Sequence, residues 1–441
     1  MSLAGTRTPI AAAADALRRA RADALLDRAA LFHDLEGLRS GLHALTAAFP
    51  ANALHAVAIK ANPVVEVLRE VVRAGCGLEA ASIEEVELAL AAGCAPDRIV
   101  YDSPVKTREE LDLALTLGVA INADSFEELG RIAELWPRVA NRQAYRTIGV
   151  RVNPEVDAGT IAATSVGTSR SRFGEAWSDV ERFVDAFRRY PWLNTLHCHV
   201  GSQGCALETM LEAAARVAAL RRRINAALGE NRVTSVDIGG GLPVAYTDSD
   251  RPPSVADYAA ALRTRTPCLF APRLRLITEF GRAVQAPCGF AASRVEYVHE
   301  RGGRRIAATH LGADLLLRAA YAPNDWRHEI IVLDADGFEK PTASTQPWTI
   351  VGPLCFAGDV IAQDRPLPAI AANDWILVRD VGAYTLSMWS RHCSRAMPPV
   401  IGMNADLLRV LRGRESPDDL VAFWSRTPAL AGRARTARSA A

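Results

Sequence analysis

Over the first two thirds of the chain, short apolar runs alternate with amphipathic stretches. The runs at 54–60, 78–80, 98–101, 119–122, 147–152, 195–200, 235–238 and 274–279 predict strands. Most are followed by apolar residues at helical spacing. In 63–74, Val64, Val65, Leu68, Val71 and Val72 share one side, and 82–92, 107–117, 125–135, 177–188, 208–227 and 255–263 have a similar pattern. Ser82-Ile-Glu-Glu85, Thr107-Arg-Glu-Glu110 and Ser125-Phe-Glu-Glu128 each place Glu three residues after a hydroxyl, the pattern in which a cap residue and its third neighbour satisfy each other's backbone donors.

Strands alternating with helices predict a parallel sheet, and eight of them predict an α/β fold closed as a (β/α)8 TIM-type barrel rather than an open doubly wound sheet. The small-residue segment 153–174 is long enough to lie over the barrel mouth. After about residue 285 the rhythm changes. Strand-like runs at 295–299, 304–308, 329–333, 348–351 and 375–379 follow without long helices between them, which predicts a mainly antiparallel β domain. The expected organisation is a helical segment over 1–30 docked outside the barrel, the barrel over 31–285, the β domain over 286–425 and a frayed Ala/Arg/Ser-rich tail over 426–441.

Composition narrows the setting. The 441 residues carry 51 basic and 50 acidic side chains, a net charge of +1, so no electrostatic footprint points to nucleic acid or an anionic membrane. No run of about 18 apolar residues occurs and the segment 1–9 lacks a signal-type apolar stretch, so a cytoplasmic protein without a membrane partner is expected. The eight cysteines form no CxxC pair, which fits a reducing compartment. Only three of the basic residues are lysine, namely Lys60, Lys106 and Lys340. Arginine stays protonated and does not readily form an imine, whereas a buried lysine can lose its proton.

Candidate chemistry gathers at the predicted strand ends, which face the active site in a barrel. Ala56-Val-Ala-Ile-Lys60-Ala-Asn-Pro63 ends an apolar strand in a lysine, where partial desolvation would lower its pKa; a lysine merely snorkelling to solvent has the same look. Leu196-His-Cys-His199-Val-Gly-Ser202-Gln203 puts two histidines on one strand face, able to bind a metal or to stack on an aromatic cofactor; no third ligand is spaced to complete a metal site, and none is expected. Asp237-Ile-Gly239-Gly240-Gly241 runs a strand into three glycines, either a flexible turn or a loop open to a phosphate. Glu279-Phe-Gly281-Arg282 offers a carboxylate for a pyridine nitrogen and an arginine for a phosphate, or simply an ion pair. Cys355-Phe356-Ala-Gly-Asp359 and Asp380-Val-Gly-Ala-Tyr384 lie in the β domain and mean little alone.

In this order the motifs resemble the pyridoxal 5′-phosphate (PLP)-dependent diaminopimelate/ornithine decarboxylase family, and within it the diaminopimelate branch. Arg151-Val-Asn-Pro154, Ser171-Arg-Phe-Gly174, Asn122-Ala-Asp-Ser-Phe-Glu-Glu-Leu129 and Arg412-Gly-Arg-Glu-Ser-Pro-Asp-Asp-Leu420 extend the resemblance from about residue 30 to 422. It implies an alanine-racemase-like barrel with PLP as cofactor, a β domain, and a homodimer in which each site borrows residues from its neighbour. Lys60 matches the lysine that carries the cofactor and His199 the histidine stacked on its ring. Ser202, Gly239, Gly240, Gly241, Gly281, Arg282 and Tyr384 match the phosphate surroundings, and Glu279 matches the partner of the pyridine nitrogen. Cys355 matches a general acid supplied by the other subunit.

Two departures bear on the substrate. The family usually has an acidic residue after the cysteine, reading a distal ammonium, and here stands Phe356. The diaminopimelate branch has an arginine four residues before a tyrosine; aligning on Tyr321 places Leu317 there, with Arg318 one residue away. The expected enzyme is a carboxy-lyase acting on a small-molecule amino acid, or a conjugated or carrier-linked one, with Phe356, Arg318, Tyr321 and Asp359 at the substrate's distal end. The alternatives are a meso-diaminopimelate decarboxylase of lysine biosynthesis or a PLP-dependent racemase.

Overall fold

The computed structural model describes residues 7–139, 147–157, 159–405 and 407–425; the expected tail 426–441 lies outside them. Its strands are β1 (Ala29–Asp34), β2 (Leu54–Ala58), β3 (Gly77–Ala80), β4 (Ile99–Tyr101), β5 (Ala120–Ala123), β6 (Ile148–Asn153), β7 (Glu175–Ala176), β8 (Thr195–His197), β9 (Ser235–Asp237) and β10 (Arg275–Thr278), then β11 (Gly289–Arg301), β12 (Arg304–Thr309), β13 (Ile330–Leu333), β14 (Gln346–Val351), β15 (Val360–Leu367), β16 (Trp375–Arg379), β17 (Val400–Asn404) and β18 (Leu407–Arg412).

Eight parallel strands in the order β5-β4-β3-β2-β10-β9-β8-β6 close when β6 pairs back onto β5, with Ile121 opposite Ile148. This is the TIM-type barrel that the alternation predicted. Its strands are almost wholly buried, because helices cover the outer face and side chains fill the inner one. The predicted helices recur within a few residues, among them Val65–Arg73, Ile83–Ala91, Arg108–Leu117 and Leu207–Leu228. Of the three predicted reciprocal caps only Thr107/Glu110 is complete. Ser82 and Ser125 cap as expected, but Glu85 and Glu128 accept from Ala81 and Asp124 instead, one residue upstream of the cap. A fourth box, Ser254/Asp257, was not foreseen.

The second sheet runs β15-β14-β12-β11-β1-β17-β18, with β16 beside β11 and β13 beside β16. Only β1–β17 and β12–β14 are parallel pairs, so the domain is mainly antiparallel. Strand β1 corrects the expected division at residue 30: it lies in this sheet, between β11 and β17, so the β domain takes strands from both ends of the chain. The helix Ile10–Ala22 docks on this sheet too, not on the barrel. Its stripe of Ala13, Ala16, Leu17 and Ala20 packs into one cluster with Phe32, Phe290, Trp375 and Leu377. Alternating apolar residues of a half-buried sheet need a cover, and a small-residue helix supplies one.

Phe32 of β1 stacks on Phe290 of β11 with ring centroids 4.7 Å apart, both rings buried. Replacing Phe32 with Ala should destabilise the protein by about 3–5 kcal/mol through lost burial and an unfilled cavity. The readout is a lowered guanidinium unfolding midpoint with a preserved far-ultraviolet spectrum.

Candidate active site

Every barrel strand delivers a polar group to the same end. Strand β2 stops at Ala58, and a single tight turn over Ile59–Ala61 carries Lys60. Its Nζ donates to both oxygens of Glu79 on β3 at 2.6 Å. Desolvation favours the neutral amine, as the sequence predicted, yet the pKa of Lys60 is raised: Glu79 foremost, then Asp102 and Glu279, hold the ammonium form. The expectation of a lowered pKa is thereby corrected. Burial and Asp102 push Glu79 up, while Asp102 is held low against its own burial by Lys60 and by a hydrogen bond with Glu79.

His197 and His199 do not act as a pair. His197 is fully buried; its Nε2 stands 3.8 Å from Asp102 and 3.7 Å from Glu279, and neither ring nitrogen has a hydrogen-bond partner among the described residues. Burial lowers its pKa and keeps it neutral. His199, one side-chain alternation further along, accepts from the Gly240 N–H at 3.1 Å through Nδ1, which fixes its ring against the glycine loop. Glu279 directly follows β10, buried, with both carboxylate oxygens unpartnered among the described residues; burial and then Asp102 raise its pKa.

The glycines are required by close approach. Gly239 lies at φ +65° and Gly241 at φ +104°. A Cβ on Gly240 would come within 2.4 Å of the Glu279 carbonyl oxygen, and one on Gly281 within 2.8 Å of the Ala61 Cβ. Beside them, buried Arg282 donates to Ser202 Oγ at 3.0 and 3.2 Å and to the Tyr246 hydroxyl. Its guanidinium lies 4.4 Å from the Tyr384 ring and 4.9 Å from Trp326. Arg318 stacks on Trp326 at 4.5 Å and Tyr384 at 5.0 Å, with one nitrogen buried and unpartnered among the described residues. The Tyr384 N–H donates to the Ala61 carbonyl at 2.8 Å and so ties the β domain to the turn that carries Lys60.

The structure therefore brings together Lys60, His199, Ser202, Gly239, Gly240, Gly241, Glu279, Gly281, Arg282, Tyr384 and Arg318. It adds Glu79, Asp102, Arg151 and Tyr246, to which the sequence reading gave no role although Glu79 and Arg151 lie within predicted strands and Asp102 one residue beyond one, and it sets His197 beside them. Cys355, Phe356 and Tyr321 form a separate group on the β domain. Cys355 is exposed, with its N–H toward Cys393 Sγ at 3.4 Å, and Phe356 stacks on Tyr321 at 6.0 Å and meets His392 edge-on at 5.7 Å. Asp359 does not fit its expected place at the substrate. It is buried, and its carboxylate accepts from the N–H groups of Ala313 and Leu354 at 2.6 Å each, so it pins the loop instead. The segment 153–174 is likewise held along the mouth, by Thr160 to Gly204 and Val166 to Val200, and Arg151 lies over the Phe173 ring at 4.7 Å.

An amine, an unpartnered buried carboxylate and a glycine cradle beside a buried arginine suit an aldehyde on a pyridine ring that also bears a phosphate. Residues 35–286 match the family model described as pyridoxal-dependent decarboxylase, pyridoxal binding domain. The chain belongs to the pyridoxal-dependent decarboxylases. It is 33% identical to the diaminopimelate decarboxylase of Pseudomonas aeruginosa over 375 residues, covering 84% of this chain and 86% of that one. With the Zymomonas mobilis diaminopimelate decarboxylase it shares 31% over 390 residues, covering 88% and 89%. The diaminopimelate decarboxylase of Helicobacter pylori complexed with L-lysine superposes with a TM-score of 0.82 at 27% identity, covering 92% of this chain and 99% of that one.

This decarboxylase is thus a PLP-dependent carboxy-lyase acting on an amino acid. No helix among its described residues is long and apolar enough to cross a membrane. The Gly240→Ala variant should fold but bind PLP roughly tenfold or more weakly, because the new methyl group forces the glycine loop away from Glu279. Loss of the visible cofactor band on dialysis against a PLP concentration series checks this.

Proposed function

We propose that this decarboxylase acts on an amino acid whose distal end lacks a free ammonium, in a specialised biosynthetic role, and that the substrate is a conjugated or carrier-linked amino acid. The observation that carries the reading is the aromatic surface of Phe356, Tyr321 and His392 beside Cys355, where the family's usual carboxylate would pair with an ammonium. An aromatic face offers only the weaker cation–π contact to such a group.

In this reading Lys60 carries the cofactor through its amine. The raised pKa of Glu79 suits it to take the proton that Lys60 Nζ must lose. PLP supplies an electron sink for the pair left at Cα when CO2 departs. Glu279, with both oxygens free, holds the proton at the pyridine nitrogen, and neutral His197 behind it adds no competing charge. His199 covers one ring face from its anchor on Gly240. The glycine loop, Gly281, Arg282, Ser202 and Tyr384 would hold the phosphate, and Arg318 and Tyr321 would flank the substrate. Cys355 returns a proton to Cα. As the family resemblance implies, Cys355 serves the site of a second copy, and the working unit is a homodimer.

A second reading, meso-diaminopimelate decarboxylation for lysine biosynthesis, is favoured by the relatives' identity over most of the chain. A CO2-release screen of meso-diaminopimelate against amino acids with neutral and acidic distal groups separates the two. Turnover of meso-diaminopimelate with the kinetics of a dedicated enzyme overturns the first. Borohydride reduction and peptide mapping should place the cofactor label on Lys60, and Lys60→Ala should abolish the visible band; label at another position ends the assignment. On the substrate found, Cys355→Ala should lower kcat by roughly 10²–10⁴-fold with the cofactor band intact.

A further inference from the structure

Beyond the loop that carries Phe356 lies a groove of about 540 Å³, walled by the segment 319–327 on one side and the loop and strand 357–365 on the other. Its polar lining is Arg327, Arg365, Asn324 and Gln363, and none of the lining residues carries a carboxylate; the sequence neighbours Asp325 and Asp364 do not line it. Arg365 spends one nitrogen on the His328 carbonyl at 3.0 Å, and burial together with Arg327 lowers its pKa. Trp326 and Ala319 line both this groove and the smaller pocket of Arg282 and Arg318. Trp326 is the shared wall, with the Arg318 guanidinium 4.5 Å and that of Arg282 4.9 Å from its ring.

Many of the described arginines approach a carboxylate, as Arg39 does Glu70 and Arg379 does Glu329. Here like charges are gathered without one. Two guanidinium groups in a partly enclosed groove repel each other more than they would in open water. A bound anion removes that repulsion and can satisfy the planar forks two bonds at a time.

We propose that this groove receives the far end of the substrate and that this end is anionic, a carboxylate or a phosphate held by Arg327 and Arg365. The substrate class is then an amino acid extended through its side chain by an acidic group. The inference rests on the decarboxylase reading above, in which the Cys355 loop faces a second copy's site, and it adds what lies past Phe356: the substrate's distal portion runs over the aromatic surface into the groove behind it.

A matched pair of ligands tests this on the holoenzyme. Ornithine acylated at its side-chain nitrogen with succinate differs from the acetyl compound mainly by a distal carboxylate, and the cofactor's visible spectrum reports the binding of either. The succinyl compound should bind roughly tenfold or more tightly than the acetyl one, and free glutarate should compete with the former more than with the latter. The Arg327→Gln/Arg365→Gln double variant should lose the preference while keeping its cofactor band and thermal midpoint. Calorimetry with glutarate and with inorganic phosphate is independent of the amino-acid backbone: binding to the native enzyme that the double variant loses supports the groove. Equal affinities for the acyl pair, preference surviving in the double variant, or no heat from either anion with the native enzyme overturns it. Mapping the reduced cofactor to Lys60 is unaffected by these results, so failure of the groove is distinguishable from failure of the decarboxylase reading.

Discussion

The contact on which this site depends is the pairing of Lys60 with Glu79 inside a ring of buried charges. The charged groups aimed at the upper layer of the closed barrel are largely buried, so their protonation is set by one another. Lys60 and Glu79 form an ion pair and Arg151 pairs with Asp124, while Asp102 and Glu279 add negative charge that keeps an ammonium stable where burial alone would expel its proton. In the proposed mechanism these surroundings also let one lysine serve reversible covalent chemistry. The carboxyls that stabilise its charged form are the ones positioned to accept its proton.

Around that centre the barrel and the β domain are joined by backbone and by cation–π contacts. Tyr384, at φ +56°, hands its N–H to Ala61, and its ring caps both Arg282 and Arg318. Arg282 in turn bonds Ser202 after β8 and Tyr246 beyond the glycine loop. A displacement of the β domain would therefore reach Arg282 and the glycine loop through few intervening contacts. Strand β1 makes such a displacement harder, because it lies in the β-domain sheet and leads directly into the helix Leu35–Ala48, which covers the barrel.

Much of this was legible beforehand where local pattern and tertiary role coincide. The eight barrel strands are continuous apolar runs because both their faces are buried, and they were readable for that reason. Lys60, the triple glycine and the Glu279–Arg282 motif announce themselves because their chemistry needs particular residue types at strand ends. Strand β1 was missed because Ala29-Ala-Leu-Phe-His-Asp34 follows an alanine-rich helix without a turn signal, and its partners lie some 260 and 370 residues away. The full set of carboxylates around Lys60 was equally hidden, since Glu79 on β3 and Asp102 just past β4 meet only when those strands pair.

Unaided, the sequence determined the barrel, the β domain after it, and the lysine, the glycines and the arginine that gather at the barrel mouth, because each is written in periodicity or in residue types at strand ends. Tertiary structure alone decided the protonation of Lys60, the division of labour between His197 and His199, the structural employment of Asp359 and the arginine-lined groove behind Phe356. Those depend on which charges face one another across the barrel and between loops, a matter of distance and dielectric surroundings that the order of residues along a chain does not express.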